Sequence, residues 1–258
     1  MSFLDDVVQG VRHNLATGHY DVPQERTHAS QRHPNQFTAA LQQGFTILAE
    51  IKPVSPSAGT LFSGDVANLA QSYADGGAGA LSVLCEGTRF GGRPSNLNAA
   101  KPAGLPLLAK DFVVSLSQIE CYAAHGADAV LLIQELFDRK RTDVPRERMI
   151  ATAHELGLAV LLEAHHPDAV VRALDSDADT VGINNRDLDD LGMNPLHYLN
   201  VHSALDPQKA ALKPLIAESG FAAKEDVTMA RQNGFAGVLV GTSLLKSADP
   251  SAAVRALQ

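Results

Sequence analysis

The sequence has little of what marks a secreted, zinc-binding or membrane protein. Among its 258 residues are two cysteines, Cys85 and Cys121, and no tryptophan. Two cysteines cannot build a disulfide framework, and without a Cys-x-x-Cys pair they do not indicate a zinc site. No apolar run approaches the roughly 20 residues that cross a bilayer. These absences favour a globular protein of a reducing compartment.

A surplus of positive charge is also lacking, because 21 lysines and arginines face 29 aspartates and glutamates, for a net charge of −8. This balance argues against nucleic acid and anionic membranes as partners, so any anion must be bound by a local site. The first residues, Met1 to Asp6, lack the basic start and the apolar block of a signal peptide. We therefore expect a cytoplasmic protein.

Eight short apolar runs recur along the chain, each followed by polar or glycine residues and then by a segment rich in alanine and leucine. The apolar residues follow one another without alternation, as in parallel strands that are buried on both faces. The predicted strands are 47–51, 80–84, 105–109, 129–133, 159–162, 180–183, 214–217 and 237–240. Helices are predicted at 65–72, 117–125, 146–156 and 222–233, and a glycine follows each of the last three.

Eight strand–helix units in about 210 residues predict an α/β protein with a (β/α)8 TIM barrel, a fold that typically takes ~250 residues. An open doubly wound sheet is the alternative. Against it, no Gly-x-Gly-x-x-Gly motif follows the first run, and no P-loop motif is present.

The first 44 residues differ from this rhythm. Apolar residues recur at helical spacing from Phe3 to Leu15, and Ser2 and Asp5 are placed to cap the start of a helix. Residues 16–36 are polar and contain Pro23 and Pro34. We predict that residues 1–44 form a short helix and a linker packed on a catalytic barrel of residues 45–258.

Ionisable side chains concentrate where the predicted strands end, which is where TIM barrels carry their active sites. Five of them would converge on one barrel mouth: Glu50, Lys52, Lys110, Glu163 and Glu218. Buried ionised groups are costly unless they are paired, so this grouping favours acid–base chemistry.

Small residues follow the last two strands, as Ser219-Gly220 and Gly241-Thr242. Backbone N–H groups in such loops can hold a phosphate without any net basic charge, although ordinary tight turns are the alternative interpretation. His165 and His166 follow Glu163, but a His-Glu-x-x-His motif is absent, and we predict no metal site.

With these motifs in order, the chain resembles the indole-3-glycerol phosphate synthase family over residues 37–257. The motifs are AEIK at 49–52, SPS at 55–57, LSVL at 81–84, KDF at 110–112, GADAVLLI at 126–133, Glu163, GINNRDL at 182–188, ESG at 218–220 and VGTSL at 240–244. The resemblance implies a lyase of tryptophan biosynthesis. Its substrate would be 1-(2-carboxyphenylamino)-1-deoxyribulose 5-phosphate, which is cyclised, decarboxylated and dehydrated to indole-3-glycerol phosphate.

No cofactor is implied, because decarboxylation in this reaction restores aromaticity and needs no external electron sink. The expected partner is the small phosphorylated substrate, with other enzymes of tryptophan biosynthesis as candidate protein partners. Within this resemblance Lys110 is the general acid that protonates the substrate carbonyl. Lys52 would contact the substrate carboxylate and assist the acid chemistry, and Glu163 would transfer a proton during dehydration.

The other implied roles concern binding and positioning. Glu50 would position the lysines, Asn184 would hold the substrate hydroxyls, and Arg186 would be an ion-pair partner of the carboxylates behind the site. Further residues would line the mouth (Glu218, Ser219), bind the phosphate (Lys52, Ser55, Gly220, Gly241, Thr242) and surround the aromatic ring (Phe90, Phe112, Leu132, Leu188).

The chain departs from the family pattern at Pro53, Ala109 and Phe221, which leaves open whether its substrate preference is altered. Two other functions stay open at this point. One is a related barrel enzyme acting on another phosphosugar. The other is a non-catalytic paralogue, which would be expected to have lost Lys52, Lys110 or Glu163, and this chain has all three.

Overall fold

A computed structural model describes residues 2–22 and 35–258 of the chain. Within these residues eight parallel strands form a closed barrel, in which the first strand pairs with both the second and the last. The strands are β1 Thr46–Ile51, β2 Ala80–Leu84, β3 Leu107–Lys110, β4 Ala129–Ile133, β5 Ala159–Ala164, β6 Thr180–Asn184, β7 Leu215–Glu218 and β8 Gly237–Val240. The TIM barrel prediction is confirmed, and closure excludes the open sheet.

Four strands run one or two residues further than predicted, so that polar residues expected just after them belong to the strands themselves. Lys110 pairs with Leu84, Glu163 with Ile133, and Asn184 with Glu218. Backbone pairing therefore holds these functional side chains on the rigid part of the barrel.

Two strands also begin later than predicted. Pro106 and Pro214 have no N–H for the ladder, although their carbonyl oxygens accept from Leu81 and Val181. β3 and β7 therefore start one residue after each proline.

Helices alternate with the strands and form the outer layer, and every predicted helix is present with ends shifted by up to three residues. Local hydrogen bonds explain two starts: the Asp65 carboxylate accepts from the Ala67 N–H, and Oε1 of Gln118 accepts from the Ser115 N–H at 3.2 Å. The helices are α1 Phe3–Ala16, α2 Gln36–Gln43, α3 Val66–Asp75, α4 Ser95–Ala100, α5 Leu116–Ala124, α6 Gln134–Asp138, α7 Arg146–Glu155, α8 Pro167–Leu174, α9 His197–Ala204, α10 Pro207–Ala210, α11 Lys224–Gln232, α12 Thr242–Leu245 and α13 Pro250–Ala256. None of these helices is long and apolar enough to cross a membrane.

The predicted N-terminal helix is present as α1. The Ser2 hydroxyl accepts from the Asp5 N–H at 3.2 Å, and α1 buries an apolar face that includes Leu4, Val7 and Val11. Its first residue is tied to the barrel, since the Phe3 N–H donates to the carbonyl of Asp189 at 2.9 Å. Of the predicted linker, residues 23–34 lie outside the described part of the chain. The division of the chain at residue 44 stays a prediction.

Candidate active site

A cavity of about 540 Å³ opens at the carboxyl ends of the barrel strands. Most of the residues predicted for the site line it: Glu50, Lys52, Ser55, Phe90, Lys110, Phe112, Glu163, Asn184, Arg186, Leu188, Ser219, Gly220, Gly241 and Thr242. Glu218 is buried beside the cavity and reaches it through its contact with Lys110. The barrel therefore brings together groups that the sequence spreads over nearly 200 residues.

Lys110 lies at the centre of the buried charges. Its Nζ atom is 2.6 Å from Oε2 of Glu218 and 3.0 Å from Oε2 of Glu163. The other Glu163 oxygen accepts from Nδ2 of Asn184 at 2.8 Å. Four barrel strands thus each supply one member of a hydrogen-bonded group, with the ammonium between two carboxylates.

The pKa values of the two carboxyl groups beside Lys110 shift in opposite directions. Burial by itself would lower the pKa of Lys110, but Glu163, Glu218 and Glu50 raise that pKa well above its ordinary value. Burial opposes ionisation of Glu163, yet Lys110 and Asn184 bring its pKa below the ordinary value. For Glu218, burial and the negative charge of Glu163 raise the pKa to about 8, against the effect of Lys110. Of the two carboxyl groups, Glu163 is thus the one that favours the ionised form, and Glu218 is the one that favours the protonated form.

A second ion pair joins Glu50, on β1, to Lys52, the first residue after this strand. Both side chains point to the same side of the chain, as strand alternation requires of residues two apart. The side chain of Glu50 is nearly buried, whereas that of Lys52 is 14% exposed and reaches the cavity. This ammonium is therefore available to an anionic ligand.

The loops after β7 and β8 form one end of the cavity. Ser219 and Gly220 both have left-handed backbone angles, with φ of 68° and 88°. Gly241 leads into α12, and a side chain at Gly241 would collide with the carboxylate of Glu50. Small residues thus keep backbone amides open to the cavity at this end, which suits an oxyanion such as phosphate.

An apolar wall lies elsewhere in the cavity. The rings of Phe90 and Phe112 stack with their centroids 6.0 Å apart and their planes inclined by 29°. Leu188, from the loop after β6, lines the same cavity. A planar aromatic ligand would find matching surface here.

Comparison with known proteins identifies the family. A profile described as indole-3-glycerol phosphate synthase matches residues 4–257. The chain belongs to the indole-3-glycerol phosphate synthase family. It is 39% identical to the indole-3-glycerol phosphate synthase of Nocardioides sp., over 99% of this chain and 97% of that protein. It is 37% identical to the enzyme of the same name from Mycolicibacterium smegmatis, over 97% and 92%.

Two solved structures share the architecture at low sequence identity. A thiamine phosphate pyrophosphorylase from Pyrococcus furiosus superposes with a TM-score of 0.58 at 14% identity, over 86% of this chain and 95% of that one. An N-acetylmannosamine-6-phosphate 2-epimerase from Clostridium perfringens gives 0.60 at 12% identity, over 83% and 93%. These likenesses support the barrel fold alone.

The structure corrects the assignment of Leu132 to the aromatic pocket of this synthase-family site. Leu131 and Ile133 line the cavity, and Leu132 does not. Successive side chains of a strand point to opposite faces, and Ile133 pairs with the inward-facing Glu163. Leu132 therefore belongs to the other face of β4.

The structure also corrects the position of Arg186. Its side chain lines the cavity, and Nη1 donates to the carbonyl of Leu191 at 2.7 Å. None of the ion pairs between described residues includes Arg186, so it is not a partner of the buried carboxylates. Its half-buried guanidinium instead faces the space that a ligand would fill.

Several residues that line the cavity were not predicted from the sequence, among them Phe3, Leu191, Met193 and Lys246. Phe3 comes from α1, and Leu191 and Met193 come from the loop after β6. No motif marks Phe3, Leu191 or Met193, because only the docking of α1 and the path of the loop bring them to the cavity. Lys246 reaches the cavity from the end of α12.

A group of ligand-type side chains lies close to the site, where His166 approaches Asp187 and Asp189 within 4.8 Å. Both oxygens of Asp189 already accept from Arg139, at 2.5 and 2.6 Å. The guanidinium of Arg139 thus already balances the charge of Asp189, and this geometry does not require a metal ion.

Proposed function

We propose that this chain catalyses the synthase reaction of its family, converting 1-(2-carboxyphenylamino)-1-deoxyribulose 5-phosphate into indole-3-glycerol phosphate, carbon dioxide and water. The observation that carries the proposal is the position of Lys110. A charged ammonium held by Glu163 and Glu218 lies in a cavity that has backbone amides at one end and stacked aromatic rings along a wall. The phosphate and the aryl group of this substrate match those two regions.

Substrate binding places the reacting atoms. The amides of Gly220 and Gly241, with Ser55, Thr242 and Lys52, hold the phosphate. The carboxylate of the aryl group lies near Arg186 and Lys52, two cations that line the cavity. Asn184 holds the hydroxyl groups of the sugar chain.

In the first step the ring carbon that bears the carboxylate attacks the ketone carbon, and a C–C bond forms. Negative charge grows on the ketone oxygen, and Lys110 donates a proton to it. Loss of carbon dioxide then returns the electron pair of the broken C–C bond to the ring. No external oxidant or reductant is needed for these steps.

Dehydration completes the reaction. The hydroxyl group made in the first step gains a proton from the ammonium of Lys52, which lines the cavity, and leaves as water. The neighbouring carbon of the new ring then loses a proton. Glu163, ionised at neutral pH, is the acceptor for that proton. The raised pKa of Glu218 favours its protonated form, so that the pocket does not hold two buried negative charges.

We also propose that the protein is cytoplasmic and that its partner is the small phosphorylated substrate. We expect it to bind neither nucleic acid nor a membrane. Other enzymes of tryptophan biosynthesis stay candidate protein partners. The net charge of −8 supports the exclusion of large polyanions.

The test is a turnover assay with the carboxyphenylamino ribulose phosphate, followed by the fluorescence of the indole product. The chain has no tryptophan, so its own emission scarcely interferes. We expect indole-3-glycerol phosphate, identified by mass spectrometry. A folded sample that gives no turnover at saturating substrate, or a different product, would refute the proposal in favour of a paralogue or a related phosphosugar enzyme.

A further inference from the structure

Asn185 follows β6 directly and is 1% exposed, yet its side chain joins three segments of the chain. Its Nδ2 donates to the carbonyl of Ser219 at 2.8 Å and to that of Pro195 at 3.3 Å. Its Oδ1 accepts from the N–H of Tyr198 at 2.8 Å. Both ends of this buried amide are therefore in use, and Asn185 is not among the residues that line the cavity.

The turn that Asn185 contacts needs external support. Ser219 has a side chain but adopts a φ of 68°, in the left-handed region that disfavours residues with a Cβ atom. Such a conformation persists only where surrounding contacts over-determine it. The bond from Asn185 to the Ser219 carbonyl is one such contact, and it is the shorter of the two bonds that Nδ2 donates.

The same hydrogen bond also fixes the direction of the Gly220 N–H, through the geometry of the peptide group. The carbonyl of Ser219 and the N–H of Gly220 belong to one planar peptide group, and in a trans peptide they point in opposite directions. A carbonyl held toward Asn185 therefore directs the Gly220 N–H away from Asn185. Gly220 itself lines the cavity at its phosphate end.

We propose that Asn185 is a positioning residue for phosphate binding. It holds the Ser219–Gly220 peptide so that the Gly220 N–H donates to the phosphate of the substrate, without touching the substrate itself. This inference rests on the proposed function, since it takes the phosphate of that substrate to bind at this end of the cavity.

The test compares Asn185→Ala and Asn185→Asp with the parent. The Asp variant is nearly isosteric and keeps an acceptor for Tyr198, but it loses the donor to Ser219. Asn194→Ala is the matched control, because Asn194 lies in the loop after β6 and is exposed, and among the described residues its side chain accepts only from the N–H of Leu196. We expect both Asn185 variants to raise KM about tenfold, the equivalent of one lost hydrogen bond to a charged group, with kcat within a few-fold of the parent.

Two readouts separate positioning from a general structural role. The dissociation constant of inorganic phosphate, measured by calorimetry, should rise by a similar factor in both Asn185 variants and not in Asn194→Ala. An analogue of the substrate without its phosphate should react equally well with parent and variants. A loss of activity on both substrates in equal measure would overturn the proposal, as would unchanged phosphate affinity in a folded variant.

If Asn185→Ala does not fold, as judged by circular dichroism, Asn185→Asp decides the question. Failure of this inference can be told apart from failure of the proposed function. An inactive parent would refute the function, whereas an active parent whose phosphate affinity does not depend on Asn185 would refute only this inference.

Discussion

Lys110 and Glu218 lie 108 residues apart in the sequence and meet at 2.6 Å between Nζ and Oε2. Glu163 approaches the same ammonium from another strand at 3.0 Å. One buried ammonium facing two buried carboxylates cannot neutralise both, so one carboxyl group keeps its proton. The chemistry proposed for the site and its pH dependence both follow from this arrangement.

Replacement of Lys110 by alanine should lower kcat by about 10³-fold or more, since a positioned general acid contributes on that scale. The fold should persist, because Glu163 and Glu218 can share protons once the ammonium is gone. Turnover by fluorescence and unfolding by circular dichroism check the two parts. Lys224→Ala, at an exposed position of α11, is the control. Activity of Lys110→Ala near that of the parent would contradict the assigned role.

The protonation of Glu218 predicts a pH dependence of stability. Its pKa is raised to about 8 in the folded protein, against an ordinary value of 4.5. Between these values the folded protein holds a proton that the unfolded chain has released, so the free energy of unfolding should fall as pH rises through this window. Urea unfolding at several pH values measures the slope, and Glu218→Gln should reduce it.

A second buried carboxyl group contributes to the same measurement. Burial, with Glu86 nearby, raises the pKa of Asp111 to about 7. Part of the slope below pH ~7 should therefore survive in Glu218→Gln, by the same linkage. Glu225→Gln, on an exposed turn of α11, should leave the whole profile unchanged. A profile of Glu218→Gln identical to that of the parent would mean that Glu218 is ionised.

Leu131 and Leu132 form a matched pair on opposite faces of β4. Both are buried, so each alanine variant should lose about 2–5 kcal/mol of unfolding free energy. Only Leu131 lines the cavity, so Leu131→Ala should also raise KM, whereas Leu132→Ala should leave KM unchanged. Denaturant unfolding and steady-state kinetics test both statements. An increase in KM for Leu132→Ala alone would reverse the assignment of faces.

Arg186 should matter through substrate binding. A charge-assisted hydrogen bond to a carboxylate strengthens binding by roughly 10- to 100-fold, so Arg186→Ala should raise KM by about that factor. Arg186→Lys should recover only part, because lysine keeps the charge but not the planar fork. Arg148→Ala removes a surface ion pair with Glu155 and serves as the control. Equal KM values for parent and Arg186→Ala would exclude the contact.

Much of this protein follows from its sequence alone. Eight continuous apolar runs at the spacing of strand–helix units indicate a parallel sheet with both faces covered, since such runs cannot be buried in a half-exposed sheet. Their number favours a barrel over an open sheet. The parallel order then places Glu50, Lys110, Glu163 and Glu218 at one end, because all strands finish on the same side.

Only the tertiary structure decided which of these groups meet. Closure of the barrel selects Glu163 and Glu218 as partners of Lys110 and leaves Glu50 to Lys52. Strand register decides that Leu132 points away from the cavity. The paths of the loop after β6 and of α1 decide that Arg186 and Phe3 line it. The physical reason is that pairing and pKa depend on distances of a few ångströms and on burial, and residues far apart in sequence acquire both only when the barrel closes.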